Sequence, residues 1–130
     1  MIIDITNEML TDIKNALTDA HVSTSQSPTT PKFPTVIVEE LVNSDDLYTK
    51  DSSGFTHSNI SYAIEIYTIG TTRMSQAKKI RNQINEIISN KYGIARTSSS
   101  PIPNYLDENV YRYRMSYSGK IGKNKTIYRG

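Results

Sequence analysis

The stretch that most constrains the fold is residues 60–93, where the spacing of apolar residues changes from two to nearly four. In residues 60–69, ISYAIEIYTI, isoleucine and tyrosine alternate with smaller or polar residues. Because side chains alternate across a β-strand, this pattern predicts a long strand with one buried face. Gly70 follows directly and breaks the strand.

The next residues have the spacing of an amphipathic helix. Thr71 or Thr72 can cap its start, and Gly93 can end it in a left-handed conformation. A long strand followed directly by a helix forms a two-layer unit, which the rest of the chain has to complete. The apolar stripe of this helix consists of Met74, Ala77, Ile80, Ile84, Ile87 and Ile88.

An earlier helix and three further strands are predicted in the same way. Asp4 or Thr6 can cap the earlier helix, and His21 is expected at its C-terminal end. Its stripe is Ile5, Met9, Leu10, Ile13, Ala16, Leu17 and Ala20. The strands are Thr35–Val42, which starts after Pro34, Ile94–Ser100, which lies near an edge and ends at Pro101 and Pro103, and Val110–Gly119.

We therefore predict a single α+β domain over residues 1–130. It would have a mostly antiparallel sheet of about four strands, with two helices packed on one face, in the order α-β-β-α-β-β. Polar, flexible loops are expected near residues 22–34 and 43–57, and a basic tail over 120–130. On the last strand, alternation directs Tyr111, Tyr113, Met115 and Tyr117 towards the helices and Val110, Arg112, Arg114 and Ser116 away from them.

The net charge of +2 conceals a strong asymmetry. Residues 1–69 hold ten acids and three Lys/Arg, net −7, whereas residues 70–130 hold twelve Lys/Arg and three acids, net +9. Such a distribution can attract nucleic acid or an acidic protein, or let copies of the chain meet head to tail. Alternatively, folding mixes the two halves on one surface. The nine tyrosines suit half-wet interfaces, although tyrosine is also an ordinary strand residue.

Residue patterns typical of catalysis are missing from the sequence. It has no cysteine, no glycine-rich phosphate loop and no nucleophile elbow, so we expect no enzyme and no cofactor. Asp45 and Asp46 lack the spacing of a calcium loop, and we expect no metal site. No apolar run reaches the roughly 18 residues of a membrane span, and the N-terminus does not resemble a signal peptide. Two classes remain open: a sheet-based nucleic-acid-binding module and a structural assembly protein.

The order of these segments resembles the tail terminator, or tail completion, proteins of long-tailed bacteriophages and phage tail-like particles. A short helix precedes the proline-led strand FPTVIVE (33–39), and the strand YAIEIY (62–67) leads into a helix with AKKI (77–80). After GIAR (93–96) comes NVYRYRMSYSG (109–119). The tail GKNKT (122–126) departs from the pattern, because it is more basic than a wall around DNA would be, and its lysines are expected to contact protein. The likeness covers nearly the whole chain.

The resemblance implies a homo-oligomeric ring, usually a hexamer, on the last ring of the tail tube. Such rings stop tube polymerisation and present a surface to the head or neck, while DNA passes transiently through a channel lined by their sheets. Expected partners are therefore the chain itself, the tail tube protein and a neck or connector protein, with no membrane. The expected location is the virion, after assembly in the bacterial cytoplasm. A head–tail connector or neck protein is the alternative within this class.

Two sets of residues are expected to make these contacts. Arg112 and Arg114 would face the channel or the neighbouring subunit, and the polar loops would contact the tube or neck. The subunit or channel set is Glu65, Tyr67, Arg112, Arg114, Lys120, Lys123, Lys125 and Arg129. The tube or neck set is Ser25, Gln26, Thr29, Asp45, Asp46, Asp51 and Phe55.

Overall fold

A computed structural model describes residues 4–24, 32–45, 50–51, 54–55, 57–103 and 109–122. Five of its strands form one mixed sheet in the order β1-β2-β5-β7-β6, and β3 pairs with β4 separately. Two helices accompany the sheet, which confirms the α+β class. The elements are α1 (Thr6–Ala16), β1 (His21–Ser23), β2 (Thr35–Asp45), β3 (Lys50–Asp51), β4 (Gly54–Phe55), β5 (His57–Ile69), α2 (Arg73–Glu86), a π-helical turn (Ile87–Tyr92), β6 (Ala95–Ile102) and β7 (Val110–Gly122).

The centre of the sheet consists of three long antiparallel strands. β2 pairs with β5 from Thr35 opposite Tyr67 to Asp45 opposite Ser58. β5 pairs with β7 over all thirteen residues of both strands. β6 then pairs antiparallel with β7 as the edge strand that the sequence predicted. Pro101 lies within this strand rather than after it, since a proline that cannot donate to a ladder is tolerated at an edge.

The prediction of about four strands was wrong by one, because residues 21–23 are not loop. His21 begins β1, which runs parallel to β2, and the backbone N–H of His21 donates to the carbonyl of Pro34 at 2.9 Å. The helix of which His21 was expected to be the end has already stopped at Ala16. Val22 stabilises this strand, because its side chain is buried in the core and pairs across the strands with Val36.

Both helices pack on one face of the sheet, as predicted. α1 packs on β1 and β2, whereas α2 packs on β5 and β7. Burial of their aliphatic side chains, which contributes about 25 cal/mol per Å² of apolar surface, is the main free-energy contribution that holds helices and sheet together. The core contains Met9 and Ile13 from α1, Ala77, Ile80 and Ile84 from α2, and Val36, Val38, Ile64, Ile66, Tyr113 and Met115 from the sheet.

The helix ends differ from the predictions in detail. The Asp4 carboxylate accepts a hydrogen bond from the Thr6 N–H at 2.8 Å, but the N-cap position of α1 is held by Ile5 and not by the predicted Asp4 or Thr6. Thr72 precedes α2, but its side chain makes no capping hydrogen bond. Met74, which was placed in the apolar stripe, is instead 54% exposed because it lies in the first turn, at the end of the sheet. Gly93 ends the π-helical turn in the predicted left-handed conformation, with φ of 64°.

The region expected to be a loop over residues 43–57 is partly regular. Its first residues continue β2 as far as Asp45, and β3 and β4 form a short hairpin within it. Asp51 lies in β3 and Phe55 in β4. Among the other predicted contact residues, Ser25, Gln26, Thr29, Asp46, Lys123, Lys125 and Arg129 lie outside the described part of the chain.

Candidate functional site

The sheet face that points away from both helices, here called the outer face, is polar. Residues opposite one another in the antiparallel register share a face, so the register assigns this surface row by row. One row is Ile37–Glu65–Arg114–Ser100, and the next is Glu39–Ala63–Ser116–Ser98. Arg112 and Arg114 therefore lie on the face that alternation predicted. Ala63 lies on this face but is buried.

Four predicted contact residues come together on this face, and we call them the Glu65 cluster: Glu65, Tyr67, Arg112 and Arg114. Glu65 lies at the centre because β5 is flanked by β2 and β7. Its carboxylate accepts hydrogen bonds from Arg112 Nη2, from Arg114 Nη1 at 3.3 Å and from the Tyr67 hydroxyl at 2.8 Å. The Arg112 guanidinium also lies 5.7 Å from the centre of the Tyr67 ring, within the range of a cation–π contact.

The electrostatics of this cluster keep Glu65 ionised. Burial of the Glu65 carboxyl favours its neutral form, but hydrogen bonds from Arg112 and Tyr67 and the two guanidinium charges outweigh burial and hold its pKa below the ordinary value. The hydrogen bond to Glu65 raises the pKa of Arg112 in turn, against the effect of burial. An ionised carboxylate already occupied by three donors is suited to fixing the face as an ion pair, not to accepting a proton from a substrate.

The two arginines are consequently bound within the chain before any partner arrives. Arg112 Nε is buried and has no hydrogen-bond partner among the described residues. Replacing either arginine would therefore disturb the folded chain itself, as well as any contact with a channel or a neighbouring subunit. Lys120, the remaining described residue of the predicted set, lies on β7 opposite Asn59 and is half-buried.

The tyrosines expected towards the helices serve mainly as core residues with a satisfied hydroxyl. The Tyr117 hydroxyl donates to Asn85 Oδ1 of α2 at 2.8 Å, and Tyr113 Oη accepts a hydrogen bond from Arg81 Nη1 at 3.2 Å. Both rings are buried. These two rings cannot stack on bases unless α2 moves away from the sheet. They are therefore not available as the stacking surface that a sheet-based nucleic-acid-binding module needs.

The fold leaves most described acidic side chains at one end of the sheet and most described basic ones at the other, and the ion pairs of Glu65 and Asp12 join the two halves. Described side chains up to residue 44 comprise six acids and two lysines, whereas those from 73 to 122 comprise nine Lys/Arg and one glutamate. The acidic half forms α1, β1 and β2 at one end of the sheet, and the basic half forms α2, β7 and β6 at the other. Between α1 and the π-helical turn, Lys91 forms an ion pair of 2.7 Å with Asp12.

Other kinds of site were sought in the described part of the chain. A cleft of about 190 Å³ lies between the end of α1 and α2, lined by Leu17, Asp19, Lys79 and Ile80 among others. No group of three or more His, Asp or Glu side chains among the described residues could hold a metal ion. None of the described helices is both long and apolar enough to cross a bilayer.

Sequence reasoning missed the exposed end of β2. Glu39, Glu40, Leu41 and Val42 are all exposed, and a bulge at Leu41 interrupts the register with β5. A signal was available, because the pair Glu39-Glu40 breaks the strict alternation of the strand, and a break in alternation is what a bulge produces.

No protein-family model matches this chain, and no curated protein is similar to it at a significant level. The family resemblance inferred from the order of segments therefore stays a prediction.

Proposed function

We propose that this chain is a structural protein that forms a ring on the end of a phage tail tube, ends tube polymerisation and provides the attachment surface for the head or neck. The support is twofold. The order of segments resembles that of tail terminator proteins, and the five-stranded sheet with two helices on one face is compatible with that resemblance.

The observation that carries the proposal is the one-sided construction of the sheet. One face is buried under α1 and α2, whereas the outer face carries the Glu65 cluster and a row of serines on β6 and β7. A polar, internally hydrogen-bonded sheet face suits the wall of a water-filled channel, because its carboxylate and both guanidinium groups already share hydrogen bonds within the chain.

The charge of this face also fits a channel that lets DNA pass. Phosphate contacts by Lys and Arg bind DNA tightly, and each one adds to the affinity. In the Glu65 cluster one carboxylate offsets one of the two guanidinium groups, and both arginines donate to that carboxylate. Such a face would neither repel passing DNA strongly nor bind it with high affinity. Its partners would be further copies of the chain, the tube protein and a neck protein, with the virion as its location.

Deletion of the gene tests this proposal directly. The measurement is tail length, by negative-stain electron microscopy of lysates that produce phage or tail particles, with the wild-type gene supplied in trans as the control. Tubes of uncontrolled excess length without heads are expected. Tails of normal length beside unattached heads would instead assign the chain to the neck or connector.

Intact particles after deletion would refute the assembly role and favour the nucleic-acid-binding module. That alternative has its own check, which is binding of the purified protein to short oligonucleotides at increasing salt. A nucleic-acid module should bind them at moderate salt and lose affinity steeply as salt rises. We expect no such binding, because Tyr113 and Tyr117 are buried and the cluster arginines are paired.

A further inference from the structure

The sheet has two open edges at opposite ends, and they differ in character. β1 covers only the first three residues of β2, Thr35 to Ile37. From Val38 onwards, β2 therefore has no outer neighbour among the described strands. At the other end, β6 is the last strand of the sheet. Open edges present unpaired backbone groups, and proteins either protect them or use them.

The open segment of β2, residues 39–42, is acidic and apolar. Glu39 is exposed on the outer face, and Glu40 is exposed on the helix side, where its carboxylate accepts hydrogen bonds from the hydroxyls of Thr6 at 3.3 Å and Tyr62 at 3.2 Å. Leu41 and Val42 follow with 44% and 47% of their surface accessible. Only Ile69 and Met74 are comparably exposed large apolar residues in the described part of the chain. Acid and apolar surface together, on a strand with an open edge, indicate a contact surface for a basic and relatively flat partner.

β6 has the complementary character. All but two of its eight residues are exposed, and its single charge is Arg96. The rest of its exposed surface comes mainly from Ala95 and a run of threonine and serine residues, so a partner can approach the backbone closely. On the neighbouring β7, Lys120 adds a further positive charge beyond the last pair with β6, whereas Arg114 is paired with Glu65 within the chain.

We propose that these two edges bind each other between copies of the chain, with residues 39–42 of one copy docked against β6 of the next. This inference rests on the self-association of the chain in the proposed function. It adds which surfaces of each copy make the contact. Charge selects the arrangement. Glu40, opposite Tyr62, and Arg96, opposite Tyr117, both lie on the helix side of their strands. The mixed contact therefore pairs opposite charges on one side of the sheet, whereas two β2 edges would oppose glutamates and two β6 edges would oppose arginines.

A mixed contact is heterologous, so each copy keeps one free edge of each kind for the next copy. Heterologous contacts generate closed rings when the rotation between copies closes and filaments when it does not. The two edges lie at opposite ends of a single sheet, as such an arrangement needs.

Both edges also carry features that limit pairing. β2 has a bulge at Leu41, β6 has a bulge at Thr97, and Pro101 removes one backbone donor from β6. Bulges interrupt a ladder and twist an edge away from a partner. The contact is therefore made mainly by side chains and short straight stretches. Free copies would associate weakly, and a template that holds several copies side by side would strengthen the contact.

A charge exchange between the two edges tests the proposal. Glu40→Arg alone and Arg96→Glu alone should each raise the Kd of self-association about tenfold, since each replaces an attraction with a repulsion of similar size. The double variant carries both changes in one chain and should restore the Kd to near the wild-type value. Lys78→Glu, on an exposed position of α2, is the matched control and should leave the Kd unchanged. Sedimentation velocity over a concentration series provides the measurement.

Disulfide trapping gives a second readout that works even for a weak contact, because the chain has no cysteine of its own. A mixture of Val42→Cys with Ser98→Cys or Ser100→Cys should form cross-linked dimers on oxidation. Each variant alone should stay uncross-linked. A disulfide requires Cα atoms about 4.4–6.8 Å apart, so it reports direct contact between the edges.

The outcomes separate this inference from the proposed function. Failure of the double variant to restore association, cross-linking of Val42→Cys by itself, or no cross-link in the mixture at the highest soluble concentration would each overturn the edge contact. Excess tail length after gene deletion could still occur, and the proposed function would then stand with a different interface. Conversely, edge contact without any tail phenotype would leave the interface in place and refute the function.

Discussion

Replacing Glu65 with glutamine perturbs the outer face with the least change of shape. The amide keeps the size of the side chain and can still accept the hydrogen bond from the Tyr67 hydroxyl, which is 2.8 Å long in the wild type. It removes the negative charge that holds Arg112 and Arg114 together. The variant therefore isolates the ionic part of the cluster from its packing.

The expected loss of stability follows from the exposure of the three charged groups. The Glu65 side chain is 13% exposed, and those of Arg112 and Arg114 are 31% and 35% exposed. Hydrogen bonds to charged groups contribute about 1.5–3 kcal/mol when well shielded, and exposed pairs contribute about 0.2–1 kcal/mol. This cluster is intermediate, so Glu65→Gln should lower the free energy of unfolding by about 1–2 kcal/mol at pH 7.

Urea denaturation of wild type and Glu65→Gln at several pH values would measure this loss and its cause. The pKa of Glu65 is lowered in the folded state, so its ionised form is the one that stabilises the fold. The contribution is complete above the ordinary glutamate pKa of about 4.3 and is lost as the pH falls through the lower pKa of the folded chain. The stabilities of the two proteins should therefore converge in acid.

Arg114→Gln is the matched control. Arg114 makes the longer and more exposed of the two ion pairs, at 3.3 Å, so its replacement should cost less than about 1 kcal/mol. Equal stability of wild type and Glu65→Gln at pH 7, or a difference between them that does not change with pH, would refute the reasoning.

Two further predictions concern Gly93, after the π-helical turn, and Tyr117, on β7 beneath α2. Gly93→Ala should destabilise the fold by about 1–2 kcal/mol in urea denaturation, because φ of 64° is unfavourable for a residue with a Cβ; Gly93→Asn should cost less, and equal effects of the two would contradict this reason. Burial raises the pKa of Tyr117 to about 12, so its contribution is complete below the ordinary tyrosine value of about 10 and is lost as the pH rises through 12. Between pH 9 and 11, wild type should therefore lose more stability than Tyr117→Phe, and parallel losses would show that this tyrosine does not ionise as expected.

The central part of the fold could be predicted because its signals are local and long. The alternation in β5 and β7 continues for ten residues or more, and a slip of one residue would move every buried side chain to the solvent. Their faces were assigned correctly for that reason. The glycine after the second helix was equally informative, because few residues other than glycine adopt a left-handed conformation without strain.

The errors arose where tertiary contacts override weak local signals. β1 is only three residues long, and nothing in His21–Ser23 distinguishes it from a loop until β2 is available as a neighbour. Met74 fits a helical stripe by spacing, but the sheet beneath the helix does not extend far enough to bury it. Periodicity identifies the face of a helix, whereas the length of the opposing layer decides which turns are covered.

The candidate site, too, could be predicted from the sequence only in part. Alternation placed Arg112, Arg114 and Glu65 on the outer face, but their hydrogen bonds depend on β7 pairing with β5 in one particular register. The opposite charges of the two edges could not be read from the sequence either. The asymmetry along the chain was visible, yet only the strand order shows that most acidic and most basic side chains lie at opposite ends of the sheet.

The sequence by itself determined the class of the fold, the faces of its long strands and the positions of its helices, because hydrophobic periodicity is a local property that burial enforces. Tertiary structure alone decided which charges meet and which edges stay open. Those features depend on distances between residues far apart in the chain, such as Glu65 and Arg112, and on the order β1-β2-β5-β7-β6, which places β2 and β6 three strand spacings apart.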